Sequence, residues 1–229
     1  MICIELADIV MQIDNRYPYT ERLCRDYLTD KQPQLFFSAT EEEIAAEDDG
    51  RHFPAGYLES VALYRKISNA IIDYDGFLLH AAVLEVDGEA FAFSADSGTG
   101  KTTHIKLWGK LLGDRCRVIN GDKPLLRTVN GEVRVYGTPW SGKEGWHTNT
   151  SAPLKGLCFL ERSEHNRIER LSDGDALPLL FGQLAMPMDA DAAMRLLASL
   201  DRLLRTVPCY KLGCNMELEA AKIAYEAMK

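Results

Sequence analysis

An α/β fold on a mixed, twisted sheet, with a small N-terminal α/β appendage, is what this sequence predicts, and three observations point to it. Short alternating apolar runs recur between stripes of helical spacing along the 229 residues. Hairpin signals at Asp87-Gly88 and Asn130-Gly131 lie between neighbouring strand-like runs, so part of the sheet must be antiparallel. One strand-like run, Glu89–Ser94, passes through a glycine-rich turn into a helix-like run that starts near Thr103.

The elements follow in order. Residues 2–13 alternate loosely and predict a strand, and 17–28 a helix with Tyr19, Leu23 and Tyr27 at helical spacing. Residues 34–38 predict a short strand. Thr40, with Glu43 three positions on, has the pattern of a capping box that starts a helix. Asp48-Asp49-Gly50-Arg51 is the most linker-like stretch, which sets the expected division: an appendage over 1–50 and a nucleotide-binding domain over 51–229. A long amphipathic helix is expected over 54–74, and strands over 77–86 and 89–94. The helix after the glycine turn carries Ile105, Trp108, Leu111 and Leu112 on one face and stops at Gly113. Residues 117–119 lead as a strand into Asn120-Gly121-Asp122. Further strands are expected over 124–129, 132–137, 156–161, 167–171 and 209–213, and helices over 189–206 and 217–228.

Composition narrows the function. Apolar residues make up 46% and charged residues 26%, an ordinary globular balance, and a net charge of −8 gives a nucleic-acid backbone no overall attraction. No apolar stretch reaches membrane-spanning length, and the first residues lack a basic, signal-like region, so a cytoplasmic protein with no membrane partner is expected. The six cysteines lie scattered in apolar contexts without metal-ligand spacing and predict buried, reduced thiols.

The glycine turn carries the chemistry. Ser94-Ala95-Asp96-Ser97-Gly98-Thr99-Gly100-Lys101-Thr102-Thr103 places Gly-Lys-Thr at a helix mouth directly after a strand, the layout of a phosphate-binding loop. Backbone N–H groups of such a turn, with the unpaired N–H groups of the first helical residues, hold phosphate oxygens. Asp96, Ser97, Gly98, Thr99, Gly100, Lys101, Thr102 and Thr103 are therefore the expected nucleotide-binding residues. Lys101 would reach the β- and γ-phosphates and the Thr102 hydroxyl a magnesium ion. Ala95 stands where the strict pattern has glycine.

Two other regions attract attention. Asp122 follows a strand, where ligands collect in such sheets, and His80 opens the strand before the loop strand. The stretch 137–147, Gly-Thr-Pro-Trp-Ser-Gly-Lys-Glu-Gly-Trp-His, is expected to be a lid, with Lys143 offering a cation to the γ-phosphate and Glu144 an acid to the metal. Arg162, Arg167 and Arg170 read as solvated surface.

Leu79–Leu126 resembles the core of HPr kinase/phosphorylase and, more distantly, ATP-dependent phosphoenolpyruvate carboxykinase. The likeness rests on His80, the Val86-Asp87-Gly88 hairpin, the loop, and Ile119-Asn120-Gly121-Asp122-Lys123 some twenty residues later. Pro208–Cys214 and 219–227 are similar to the C-terminus of small HPr-kinase-related proteins found near modified-peptide gene clusters. The resemblance spans roughly residues 75–229. It implies a phosphate-loop fold of that type, ATP and Mg2+ as ligands, and Asp122 as base or magnesium ligand with His80 orienting it. HPr kinases carry a pair of aspartates here, whereas Gly121 and Lys123 flank a single acid in this chain. The expected function is an ATP-dependent kinase acting on a hydroxyl of a peptide, protein or small molecule, with Asp122, His80, Lys101, Lys143 and Glu144 as catalytic residues and Thr102 and Asp122 at the metal. A nucleotide-binding regulatory module without turnover is the alternative. Carboxykinase chemistry is disfavoured by chain size, and a homo-oligomer stays open.

Overall fold

A computed structural model describes residues 1–229 and divides them between two sheets. In the first, β1 (Ile2–Leu6) and β2 (Ile9–Asp14) pair as an antiparallel hairpin, where one strand over 2–13 was expected. Ala7 and Asp8 make the reversal with positive φ, as a two-residue turn between twisted strands requires. α1 (Pro18–Leu23) and a 3-10 turn at Arg25–Tyr27 share the helix expected over 17–28. β3 (Leu35–Ser38) then joins β2 in parallel. α2 (Glu41–Ala46) opens on the expected capping box: the Thr40 hydroxyl accepts from the Glu43 N–H and the Glu43 carboxylate from the Thr40 N–H. α3 (Ala55–Ala70) lays Leu58, Ala62, Leu63 and Ile67 on this sheet, the i, i+4, i+5, i+9 positions of one helical stripe. From the same helix the buried Glu59 carboxylate accepts from the Arg16 and Tyr17 N–H groups and the Thr20 hydroxyl, which joins α3 to the start of α1.

The second sheet is mixed and has nine strands. β4 (Gly76–Leu78) and β5 (Ala81–Val86) are separated by Leu79-His80, where one strand was expected. β6 (Glu89–Ser94), α4 (Lys101–Leu112), β7 (Cys116–Asn120), β8 (Leu125–Val129) and β9 (Glu132–Tyr136) follow. β10 (Ser151–Arg162) and β11 (Arg167–Arg170) precede α5 (Asp173–Phe181), α6 (Ala190–Thr206), β12 (Cys209–Cys214) and α7 (Leu218–Met228). β10 is the spine, parallel to β6 on one side and to β12 on the other. Most of the remaining pairings are antiparallel.

Alternation along β6 sorts the core into two layers. Ala90 and Ala92 face Leu196, Leu200 and Leu203 of α6, while Phe91 and Phe93 face Trp108 of α4 and Ala221 and Ala224 of α7. α5 was not foreseen in the sequence. Ser172 caps it by accepting from the Asp175 N–H, and Pro178 lies inside it. All six cysteines are free, but only Cys24, Cys158 and Cys209 are buried, while Cys3, Cys116 and Cys214 are half-buried. Burial pushes the Cys24 and Cys209 thiols up to about 12, so both stay protonated near neutral pH. No helix is long and apolar enough to cross a membrane.

Pairing brings the chemistry to one end of the sheet. β6, β10 and β12 run in the same direction, and β7 runs with them because it is antiparallel to β5, which is antiparallel to β6. Their C-terminal ends, Ser94, Arg162, Cys214 and Asn120, therefore share one edge. Ala81 pairs with Ser94, so His80 falls at that edge too.

Candidate functional site

The segment after β6 is a strand, a turn and a helix in sequence. Gly98 and Gly100 adopt φ of 82° and 130°, which only glycine takes without strain. A Cβ on either would meet nothing within 4 Å, so the demand for glycine is conformational rather than steric. Gly100 caps α4 with no side-chain hydrogen bond, and the one backbone bond inside the turn runs from the Thr99 N–H to the Asp96 carbonyl. The helical ladder starts with the His104 N–H on the Gly100 carbonyl, so the N–H groups ahead of it have no intrahelical acceptor. Backbone donors at a helix N-terminus, next to a buried lysine, make a ready anion site.

Lys101 lies back over the turn, its Nζ donating to the Ala95 carbonyl at 2.7 Å. Burial pushes its ammonium below the ordinary lysine range, while Asp122 and Asp96 pull it back up. Arg162, expected on the solvated surface, instead donates to the Gly98 carbonyl at 2.6 Å. It stands at the C-terminal end of β10, beside the loop strand, and only the parallel pairing of β10 with β6 reveals that.

Asp122 is held by the residues around it. The buried Asn120 amide oxygen accepts from the Asp122 and Lys123 N–H groups at 2.8 and 2.7 Å, and its amide nitrogen donates to the carbonyl and hydroxyl of Thr138. The Asp122 carbonyl accepts from the Ala81 N–H. His80 Nε2 lies 3.2 Å from Asp122 Oδ1, and His80 Nδ1 lies 3.1 Å from the Gln183 amide oxygen. Both ring nitrogens thus face acceptors, an arrangement that the doubly protonated imidazolium satisfies. Burial opposes ionisation of the Asp122 carboxyl. The His80 hydrogen bond and the charges of Lys123 and Lys101 outweigh it and hold the group below the ordinary aspartate value.

Two clefts flank the turn and share Gly98 and Gly100 as lining. The larger, about 910 Å³, brings together Ser97, Lys101, Thr102, His80 and Asp122, with Lys143 and Glu144 at the rim. Its far wall is aromatic and comes from the N-terminal region: Tyr19, Phe53 and Tyr57. The smaller, about 490 Å³, lies between Thr99, Thr103 and His104 on one side and Arg162, Asn215 and Met216 on the other. Asp96 stays exposed beside the turn, where it accepts from the Gln183 amide nitrogen.

The 137–147 stretch is more firmly anchored than a lid. Trp140 is buried, stacks on Tyr64 with centroids 4.2 Å apart, and donates from Nε1 to the Ser60 carbonyl. The Gly121 N–H donates to the Trp146 carbonyl, and Ser141 Oγ lies 3.0 Å from His147 Nδ1. Only 142–145 are fully exposed at its tip, and no hydrogen bond or ion pair ties Lys143 or Glu144 to the glycine turn. Gln183, Asn120 and Arg162 are the site residues that sequence reading missed. Asn120 had a usable signal, a polar residue ending an apolar strand directly before the acid, whereas Gln183 had none.

The profile of the SynChlorMet cassette protein ScmC family matches residues 57–219, and the chain belongs to that family. No curated protein matches it. Among solved structures it is similar to the Hpr(Ser) kinase/phosphatase from Coxiella burnetii, with a TM-score of 0.38 and 9% identity over 66% of this chain and 93% of that one. A likeness at that level is a distant relation of fold and contributes nothing to the reading of the site.

Proposed function

We propose that the chain is an ATP-dependent kinase that transfers the γ-phosphate to a hydroxyl. One observation carries the reading: the glycine turn with Lys101 and Thr102 opens onto the same cleft as the His80–Asp122 pair. Phosphoryl transfer asks mainly for positioning and charge neutralisation, and this cleft offers a cation, backbone donors and one poised carboxylate. Because both clefts share the turn, phosphates laid along Gly98–Thr103 would leave the nucleoside in the 490 Å³ cleft and the terminal phosphate facing Asp122. The larger cleft then remains for the acceptor.

The donor set also suits magnesium. No group of three or more His, Cys, Asp or Glu side chains gathers anywhere. Magnesium is commonly held by one or two protein oxygens, with waters and substrate phosphates completing its octahedron. The Thr102 hydroxyl and the Asp122 carboxylate are the residues that would hold it, and it would supply neutralisation of phosphate charge. Asp122 alternatively takes the proton of the acceptor hydroxyl, with His80 holding its orientation.

The solitary acid favours a second reading, a module that binds nucleotide without turnover. Release of ADP from magnesium-ATP, with water and then candidate hydroxyl acceptors present, separates the two. The kinase reading expects turnover that Asp122→Asn lowers by about 10²–10⁴-fold, the range of a lost general base. A wild-type rate in that variant would rule the mechanism out.

A further inference from the structure

Gln183 belongs to no recognised motif and lies two residues beyond the end of α5, yet it bonds to both His80 and Asp96. It is almost fully buried. Its main-chain carbonyl accepts from the His80 N–H at 3.0 Å. Its amide nitrogen donates to Asp96 Oδ1 at 3.1 Å, and its amide oxygen lies 3.1 Å from His80 Nδ1. An amide can be turned either way, but a carboxylate only accepts, so Asp96 claims the nitrogen end and the oxygen must face the ring. The ring nitrogen that meets the oxygen must then carry the proton, and Nε2 is turned to Asp122.

We propose that Gln183 is a positioning residue: by accepting from His80 Nδ1–H it fixes the ring so that Nε2 is aimed at Asp122, and it ties that pair to Asp96 at the start of the glycine turn. The chain Asp96–Gln183–His80–Asp122 links the residue at the start of the glycine turn to the acid, and its last two members line the larger cleft. A polar residue so placed orients its neighbour as outer-shell partners orient metal-bound histidines. Its consequence for turnover rests on the kinase reading, but the hydrogen-bond assignment does not.

The test is the ¹⁵N spectrum of the imidazole rings in full-length protein labelled at its five histidines, with the His80 signals identified by their loss in His80→Asn. Wild-type protein should show His80 Nδ1 protonated. Gln183→Met keeps the bulk and removes both side-chain contacts, so the His80 Nδ1 resonance should shift as its hydrogen-bond acceptor is lost, while nucleotide KM changes by less than about 3-fold and kcat falls about 10–100-fold, the usual cost of an outer-shell partner. A bare Nδ1 in the wild type, or an unchanged His80 spectrum in Gln183→Met, overturns the assignment, and the wild-type spectrum decides it even if the variant does not fold. A protonated Nδ1 that responds to Gln183→Met, in a wild-type protein that turns over no ATP, would uphold the positioning role and remove the kinase reading.

Discussion

The two loops that border the large cleft are made in opposite ways. The turn at 95–100 leaves its backbone open: one internal backbone hydrogen bond, two glycines with positive φ, and no atom near where their Cβ would stand. The 137–147 loop spends its polar groups on its neighbours. Thr138 bonds to Asn120 and Lys123, Trp140 to Ser60, and the Trp146 carbonyl to Gly121. Gly137 packs so closely on the Thr148 carbonyl that a Cβ there would collide with it. A segment that is to bind an anion keeps its donors free, and a segment that holds an acid in place uses its donors up.

That contrast predicts where substitutions act on stability and where on binding. Trp140→Ala should produce the largest loss of stability, about 3–5 kcal/mol, because it removes a buried stacked ring and its side-chain hydrogen bond to the Ser60 carbonyl. Denaturant unfolding measures it, and a loss under about 1 kcal/mol would mean that this loop is not the scaffold described.

A smaller effect is expected on the other side, from the helix that follows the glycine turn. His104 is buried beside Trp108, whose Nε1–H donates to His104 Nε2 at 2.9 Å, and burial pushes its pKa from 6.5 down to about 4. As pH falls, the unfolded chain takes up this proton before the folded one does. The stability tied to neutral His104 is therefore complete above about pH 6.5 and is lost between there and about pH 4, up to roughly 3 kcal/mol by linkage. Unfolding titrations should show this slope in wild type and a shallower one in His104→Gln. Equal slopes would contradict it.

The smallest effect is dynamic. Amide hydrogen exchange should be fast at 142–145 and slow in the anchored flanks around Trp140 and Thr148, and nucleotide should slow only the tip. Fast exchange across the whole of 138–147 without ligand, slowed throughout by nucleotide plus acceptor, would restore the broader lid expected from sequence alone.

Much of this was legible from local pattern. The glycine turn, the α4 face with Ile105 and Trp108, the Thr40 capping box and the α6 stripe all follow from spacing and cap chemistry within a few residues. Apart from Asn120, whose signal is local, the misses share a cause, since each depends on contacts distant in sequence. Arg162 reads as a surface arginine until β10 is laid beside β6, 64 residues from the carbonyl it bonds. Gln183 meets His80 across 103 residues, from a helix hidden by Gly174 and Pro178. Trp140 falls within the glycine-rich stretch expected to be a lid, yet its stacking partner Tyr64 belongs to α3.

The account stands most directly on Lys101. Titration calorimetry with magnesium and a non-hydrolysable ATP analogue, on wild type and Lys101→Ala, tests the glycine turn as the proposed nucleotide site apart from any later chemistry. The variant should stay folded with a loss of no more than about 1–3 kcal/mol, the cost of leaving the buried Ala95 carbonyl without the Lys101 donor, and should bind about 10- to 100-fold more weakly, as removal of charge-assisted hydrogen bonds to phosphate implies. Wild-type affinity in Lys101→Ala would contradict the assignment of the glycine turn as the nucleotide site.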